Sequence, residues 1–102
     1  MRLTISPLAE QDIEAIGDYI ARDNPRRALT FITELREQCR RIADNPQGDR
    51  KRPELGDELR SCAYGHYVLF FEATPGEVRI IRVLHGARDL PAILGGEDRS
   101  RG

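Results

Sequence analysis

Two helix-start signals of one kind, Ser6-Pro7 and Asn24-Pro25, constrain this chain more than any other feature. Each places a side chain that caps free backbone N–H groups directly before a proline, whose fixed φ suits the first helical position. After the first, Ala9, Ile13, Ile16 and Ile20 recur at helical spacing, and Glu10, Asp12, Glu14 and Asp18 take the other faces where the helix dipole favours acids. That pattern predicts a helix from Pro7 to about Arg22. After the second, Ala28, Ile32, Leu35, Cys39 and Ile42 step by four, three, four and three until Asn45-Pro46 ends the run. With only Asp23-Asn24 between them, the two helices must fold back as an antiparallel hairpin, their apolar stripes facing one surface.

The surface they face is written before and after them. Arg2 to Ser6 alternates as a short strand, and three further segments, Leu59 to Ala63, His66 to Thr74 and Glu77 to His85, are dense in branched and aromatic residues. Thr74-Pro75-Gly76-Glu77 has proline and glycine where a type II turn needs them, and Tyr64-Gly65 turns the first segment into the second. Tyr67-Val68-Leu69-Phe70-Phe71 is apolar on both faces, which predicts a central strand. Arg79 and Arg82 interrupt the neighbouring strand and are expected on opposite faces. From Gln47 to Glu58 the chain is polar and carries Gly48, Pro53 and Gly56, so no regular element is expected there. Asp89 can cap a last short helix reaching Leu94. The predicted fold is α+β in the order β-α-α-β-β-β-α, a helical hairpin packed on a small, largely antiparallel sheet. One domain is expected over residues 1–95, with residues 96–102 a flexible tail.

Composition removes several function classes. With 102 residues, 39% hydrophobic and 32% charged, the chain suits one small core under a well-solvated surface. It contains no apolar run of membrane-spanning length, and its N-terminus lacks the basic start and apolar centre of a signal peptide, so a cytoplasmic protein is the expectation. Cys39 and Cys62 lack the spacing of a zinc or redox motif and read as small core residues. His66 and His85 are too few to make a metal site by themselves, so neither metal nor cofactor is expected. Lys51 is the only lysine among sixteen basic residues; the rest are arginine, which favours planar carboxylate and phosphate partners.

For chemistry the candidates are few. No glycine-rich phosphate loop of the Walker or Rossmann kind is present. His85, at the end of a predicted strand, is the best acid–base candidate, and a structural histidine is the competing reading. Arg50, Lys51, Arg52, Arg60, Arg82 and Arg88 can form a basic patch if the loop folds over the sheet; the interleaved Glu54, Asp57 and Glu58 favour a neutralised, solvated face instead.

The stretch Leu59-Arg60-Ser61-Cys62-Ala63-Tyr64-Gly65-His66-Tyr67-Val68-Leu69-Phe70-Phe71, with Ile80-Ile81-Arg82-Val83-Leu84-His85-Gly86-Ala87-Arg88-Asp89, strongly resembles the C-terminal half of ParE toxins, members of the ParE/RelE superfamily. Ser6 to Ile13, together with Ile16 and Tyr19, is similar to that family's first helix, so the resemblance spans roughly residues 2–95. It implies a type II toxin that inhibits DNA gyrase by protein–protein binding, needs no catalytic residue or cofactor, and is neutralised by a ParD-like antitoxin. Direct nucleic-acid binding and membrane association are not expected of it. Arg60, Tyr67, Arg79, Arg82, His85 and Arg88 become the candidates for contacting antitoxin or target. The superfamily also holds RelE-type, ribosome-dependent mRNA interferases, and fold does not choose between the two. Against that second reading, Tyr67 stands about where such enzymes carry an arginine, and no tyrosine follows Arg88. A related binding module that has lost toxicity is the third.

Overall fold

A computed structural model describes residues 2–46, 50–53 and 58–86, with Arg50 described for its backbone alone. Its elements are β1 (Arg2–Ile5), α1 (Pro7–Ala21), α2 (Pro25–Asp44), β2 (Arg50–Lys51), β3 (Leu59–Tyr64), β4 (Tyr67–Thr74) and β5 (Glu77–His85). Both caps form as the sequence predicts: Ser6 Oγ accepts from the Ala9 amide and Asn24 Oδ1 from the Arg27 amide, each at 3.0 Å. The helices lie close where they cross, because Gly17 is buried and a Cβ there would come within 2.5 Å of Ile32 Cδ1. A bidentate Arg36–Glu10 pair ties the hairpin together on its exposed side.

The strands form one sheet in the order β1-β5-β4-β3-β2, with β1 parallel to β5 and the other pairs antiparallel. The two-sided apolar strand β4 is its middle strand. The predicted β-α-α-β-β-β order holds over the described residues, with one correction. Arg50–Lys51, in the segment expected to lack regular structure, pairs with Ser61 and Arg60 as a two-residue edge strand. Three basic side chains in a row masked the signal, because a lone edge pairing needs no alternation of its own. The predicted helix over residues 89–94 and the tail lie outside the described residues.

Hydrophobic residues sort onto the two faces of the sheet. Toward the helices, Leu69 and Phe71 of β4, Val78, Ile80 and Val83 of β5 and Cys62 of β3 meet Ala9, Ile13, Ile16, Phe31, Leu35, Cys39 and Ile42 in the main core. On the other face Phe70, Leu59 and Leu84 form a second cluster with Val68 and Ile81. Phe31 was skipped by the sequence stepping yet is buried, with its ring centroid 5.7 Å from both Tyr64 and Tyr67. Burial pushes the Cys39 thiol up to about 11, as an apolar site should.

One irregularity decides which residues of β5 face the helices. Phe70 pairs with Arg82 and Phe71 with Ile80, so Ile81 is an extra residue without a partner, a β-bulge. Strict alternation from Val78 and Ile80 would have turned Arg82 toward the core. The bulge advances the pattern by one, so Val83 fills that place and His85 follows it on the same side. It also corrects the expectation for the two arginines: Arg79 stands opposite Glu72 and Arg82 opposite Phe70, two positions on one face of β4.

Candidate functional site

Beyond Ile80, β5 outruns its parallel neighbour β1, which ends at Ile5. An uncovered strand edge leaves backbone polar groups without partners. The start of α1 supplies them. The Ser6 amide donates to the Ile80 carbonyl at 2.9 Å and its hydroxyl to the Ile81 carbonyl at 2.8 Å. One turn into α1, Asp12 Oδ2 accepts from the Val83 amide at 2.9 Å. The same carboxylate holds Arg82 in a bidentate pair, Nε to Oδ2 at 2.8 Å and a terminal nitrogen to Oδ1 at 3.0 Å. Those bonds raise the Arg82 guanidinium further above its ordinary value, against the opposing effect of its burial.

Beside this clamp a cleft of about 460 Å³ opens between α1 and the adjoining ends of β4 and β5. Ala15, Ile16, Val83 and Leu84 give it apolar walls, while Asp12, Tyr19, His66, Tyr67 and His85 bring polar groups. Tyr67 and His85 are a cross-strand pair, their rings edge to face with centroids 5.4 Å apart. His66, in the tight turn before β4, stacks on His85 at 6.2 Å and 19°. Gly65 makes that turn possible with φ +60°, and the Gly86 amide fastens its far side to the His66 carbonyl at 2.9 Å. Tyr67 is held above the ordinary tyrosine range, first by burial and then by neighbouring Tyr19. Tyr19 itself is 65% exposed, a large aromatic left at the mouth of an apolar-walled cleft.

Of the six residues singled out by sequence, the structure brings Tyr67, Arg82 and His85 to this corner. Arg82 reaches it through Asp12. Arg60 lies on β3, on the far side of β4, opposite Phe71 and next to Lys51. Arg79 is exposed toward the other end of β5, across from Glu72. Arg88 falls outside the described residues. The expected basic patch is therefore divided: Lys51 and Arg60 are neighbours, Arg52 sits over the opposite face with its guanidinium carbon 5.9 Å from the Phe70 ring centre, and Arg82 is two strands away from Arg60.

Sequence reasoning missed Asp12 and His66 and placed Tyr19 only by resemblance. Asp12, Ile16 and Tyr19 step by four and three along α1, so one helical stripe carried the signal. Asp12 was submerged among the acids that the helix dipole already explained. Among the described residues no group of three or more His, Cys, Asp or Glu side chains is placed to hold a metal ion, and no helix is long and apolar enough to cross a membrane.

Comparison with known proteins adds three findings. A family model described as the ParE toxin of the type II toxin–antitoxin system parDE matches residues 3–90. No curated protein sequence matches the chain. Among solved structures, the chain is similar to one from the chromosomal ParDE toxin–antitoxin system of P. aeruginosa, with a TM-score of 0.70 and 23% identity, over 83% of this chain and 95% of that one. At that identity the likeness speaks for the fold.

Proposed function

Because this chain belongs to the ParE toxins of type II toxin–antitoxin systems, we propose that it inhibits DNA gyrase by binding it and is held inactive by a ParD-type antitoxin. The observation that carries the reading is the family match across residues 3–90, which takes in both helices and all the strands from Leu3 onward. The cleft supports it. Apolar walls, an exposed tyrosine and polar groups at the mouth are what a protein segment with a bulky anchor needs, and binding of that kind requires no nucleophile. We assign Tyr67 and His85 to the contact surface, with Tyr19 and His66 added to it. Arg82 is assigned to holding the strand edge rather than to direct contact. Arg60 and Arg79, on separate parts of the sheet, are kept as candidates for carboxylates elsewhere on a wrapping partner.

One observation favours the ribonuclease reading: His85, alone in the sequence argument, has His66 and Tyr67 beside it in the structure. Two imidazoles and a phenol can exchange protons with a ribose hydroxyl and a leaving oxygen. Stabilising the phosphorane also needs a cation; among the described residues, Arg82 is engaged in a bidentate pair with Asp12, and Arg22 is placed over the Tyr19 ring, 5.9 Å from its centroid. Protein binding is therefore the better fit.

Expressing the chain alone in a bacterial host is expected to stop colony formation, and co-expressing a ParD-type partner to restore it. His66→Gln with His85→Gln separates the two readings within this assay. Loss of mRNA cleavage together with toxicity would place the activity in the imidazoles, whereas a protein-binding toxin cuts no mRNA before or after the substitution.

A further inference from the structure

The face of the sheet turned away from the helices is buried more completely than its described neighbours explain. Leu59, Phe70 and Leu84 cluster there at 8%, 0% and 3% exposure, with Val68 and Ile81 packed beside them. Both helices are engaged on the opposite face, in the main core. Arg52 reaches over the outer cluster, its guanidinium carbon 5.9 Å from the Phe70 ring centre. A side chain standing on an uncovered sheet face keeps its tip in water, so burial to this extent needs a second layer. Arg52 follows β2, whereas Leu84 stands on β5, three strands or about 14 Å across the sheet. The cover over Leu84 therefore comes from chain outside the described residues.

Where each such stretch joins the sheet decides which one can serve. Met1 precedes Arg2, which pairs with Glu77 at the far end of β5 from Leu84. Residues 47–49 and 54–57 flank β2, and the second of these joins the sheet at Leu59, opposite Glu72 of β4. Leu84 pairs with Val68, four residues or about 13 Å away along that strand. The stretch after Gly86 starts at the Leu84 end. Gly86 is fastened by its amide to the His66 carbonyl, and a Cβ on it would lie 3.6 Å from Val68 Cγ2, so the chain leaves β5 beside the outer cluster. In the sequence that follows, Leu90, Ile93 and Leu94 stand at i, i+3 and i+4, one helical stripe between Asp89 and Gly95-Gly96. We propose that Leu90, Ile93 and Leu94 form this second layer, docked on Val68, Phe70 and Leu84, so that the C-terminal segment is a structural part of the domain and closes its outer face to other proteins. Four to eight residues beyond Gly86, at up to about 3.3 Å per residue, are enough to span the cluster. The inference stands apart from the gyrase and antitoxin reading and does not depend on it.

The full chain, made by cell-free synthesis so that toxicity does not limit it, can be read by NMR for proton–proton contacts. The Phe70 ring and the methyls of Val68 and Leu84 should show contacts to the methyls of Leu90, Ile93 or Leu94. In a sample mixed from labelled and unlabelled copies, those contacts should arise within one chain. Ile93→Ala with Leu94→Ala should lower the melting temperature by roughly 10 °C or more and raise the binding of a hydrophobic dye, while Arg99→Ala, beyond the stripe, should leave both at the parent's values. Contacts from this end of the cluster to Leu55 in place of the three residues, contacts made only between copies, or no contact at all would each overturn the proposal. So would a double variant with the parent's melting curve. The contacts are read on the unsubstituted chain, and they decide the matter even where a variant does not fold.

Discussion

Phe71→Asp is expected to yield no folded protein. Phe71 is completely buried in the middle strand, between the helices and the strands on either side, within the cluster that holds α1, α2, β4 and β5 together. Truncating a buried phenylalanine alone costs about 3–5 kcal/mol. An aspartate there adds a carboxylate with no partner among its apolar neighbours, and the desolvation of an unpaired charge costs several kcal/mol more or forces protonation. Domains of this size have about 5–15 kcal/mol in all, so the sum consumes most or all of it. The expected result is insoluble product or a circular dichroism spectrum without a cooperative melt. Phe71→Leu should melt cooperatively at a lower temperature. Ile32→Asp should be less damaging, because Ile32 is only partly buried against the core. A soluble Phe71→Asp protein with the parent's melting curve would contradict the assignment of the core face.

Asp12→Ala should be the most damaging change outside the apolar core. It removes the bidentate partner of Arg82 and the acceptor of the Val83 amide together, at a place where the Asp12 side chain is 13% and the Arg82 side chain 21% exposed. Breaking one side of a largely buried pair leaves the other charge uncompensated, and an unsatisfied amide adds to it; a loss of about 2–4 kcal/mol follows. For a domain of this length that is a fall of roughly 10–20 °C in melting temperature. Adding Arg82→Met should recover part of the loss, since the stranded charge is then gone while the strand edge stays open. If Asp12→Ala with Arg82→Met is as unstable as the two single losses added together, the clamp is not a coupled unit.

Much of the fold was legible in the sequence, for reasons that are local. Ser6-Pro7 and Asn24-Pro25 carry their own geometry, and the β4 run announces a central strand by being apolar at every position from Tyr67 to Phe71. The Thr74–Glu77 turn is fixed by its proline and by Gly76 at φ +89°. The bulge was not legible. Ile80 and Ile81 are the same residue type, and nothing in them says which one drops out of the pairing; only the closing of β5 against Asp12 and Ser6, more than seventy positions away, decides it. The site depended on that decision. His85 faces the cleft because the bulge put Val83 and His85 on the helix side, and His66 joins it through a turn whose partner, Gly86, is twenty residues on. β2 was missed because two residues of edge strand leave no pattern to read.

The account's central claim, that this toxin acts on gyrase by protein binding, is tested most directly by incubating the purified protein with DNA gyrase, ATP and a closed circular plasmid, then denaturing the enzyme and measuring linear DNA. Cleavage complexes should accumulate with toxin concentration and disappear when a ParD-type antitoxin is present in excess. In a parallel translation reaction, mRNA on ribosomes should stay intact, because cleavage through the 2′-hydroxyl needs acid–base chemistry worth about 10²–10⁴-fold together with a cation for the phosphorane, and Arg82 is held by Asp12. Codon-specific cutting of the mRNA, with linear DNA at the level of gyrase alone, would contradict the claim.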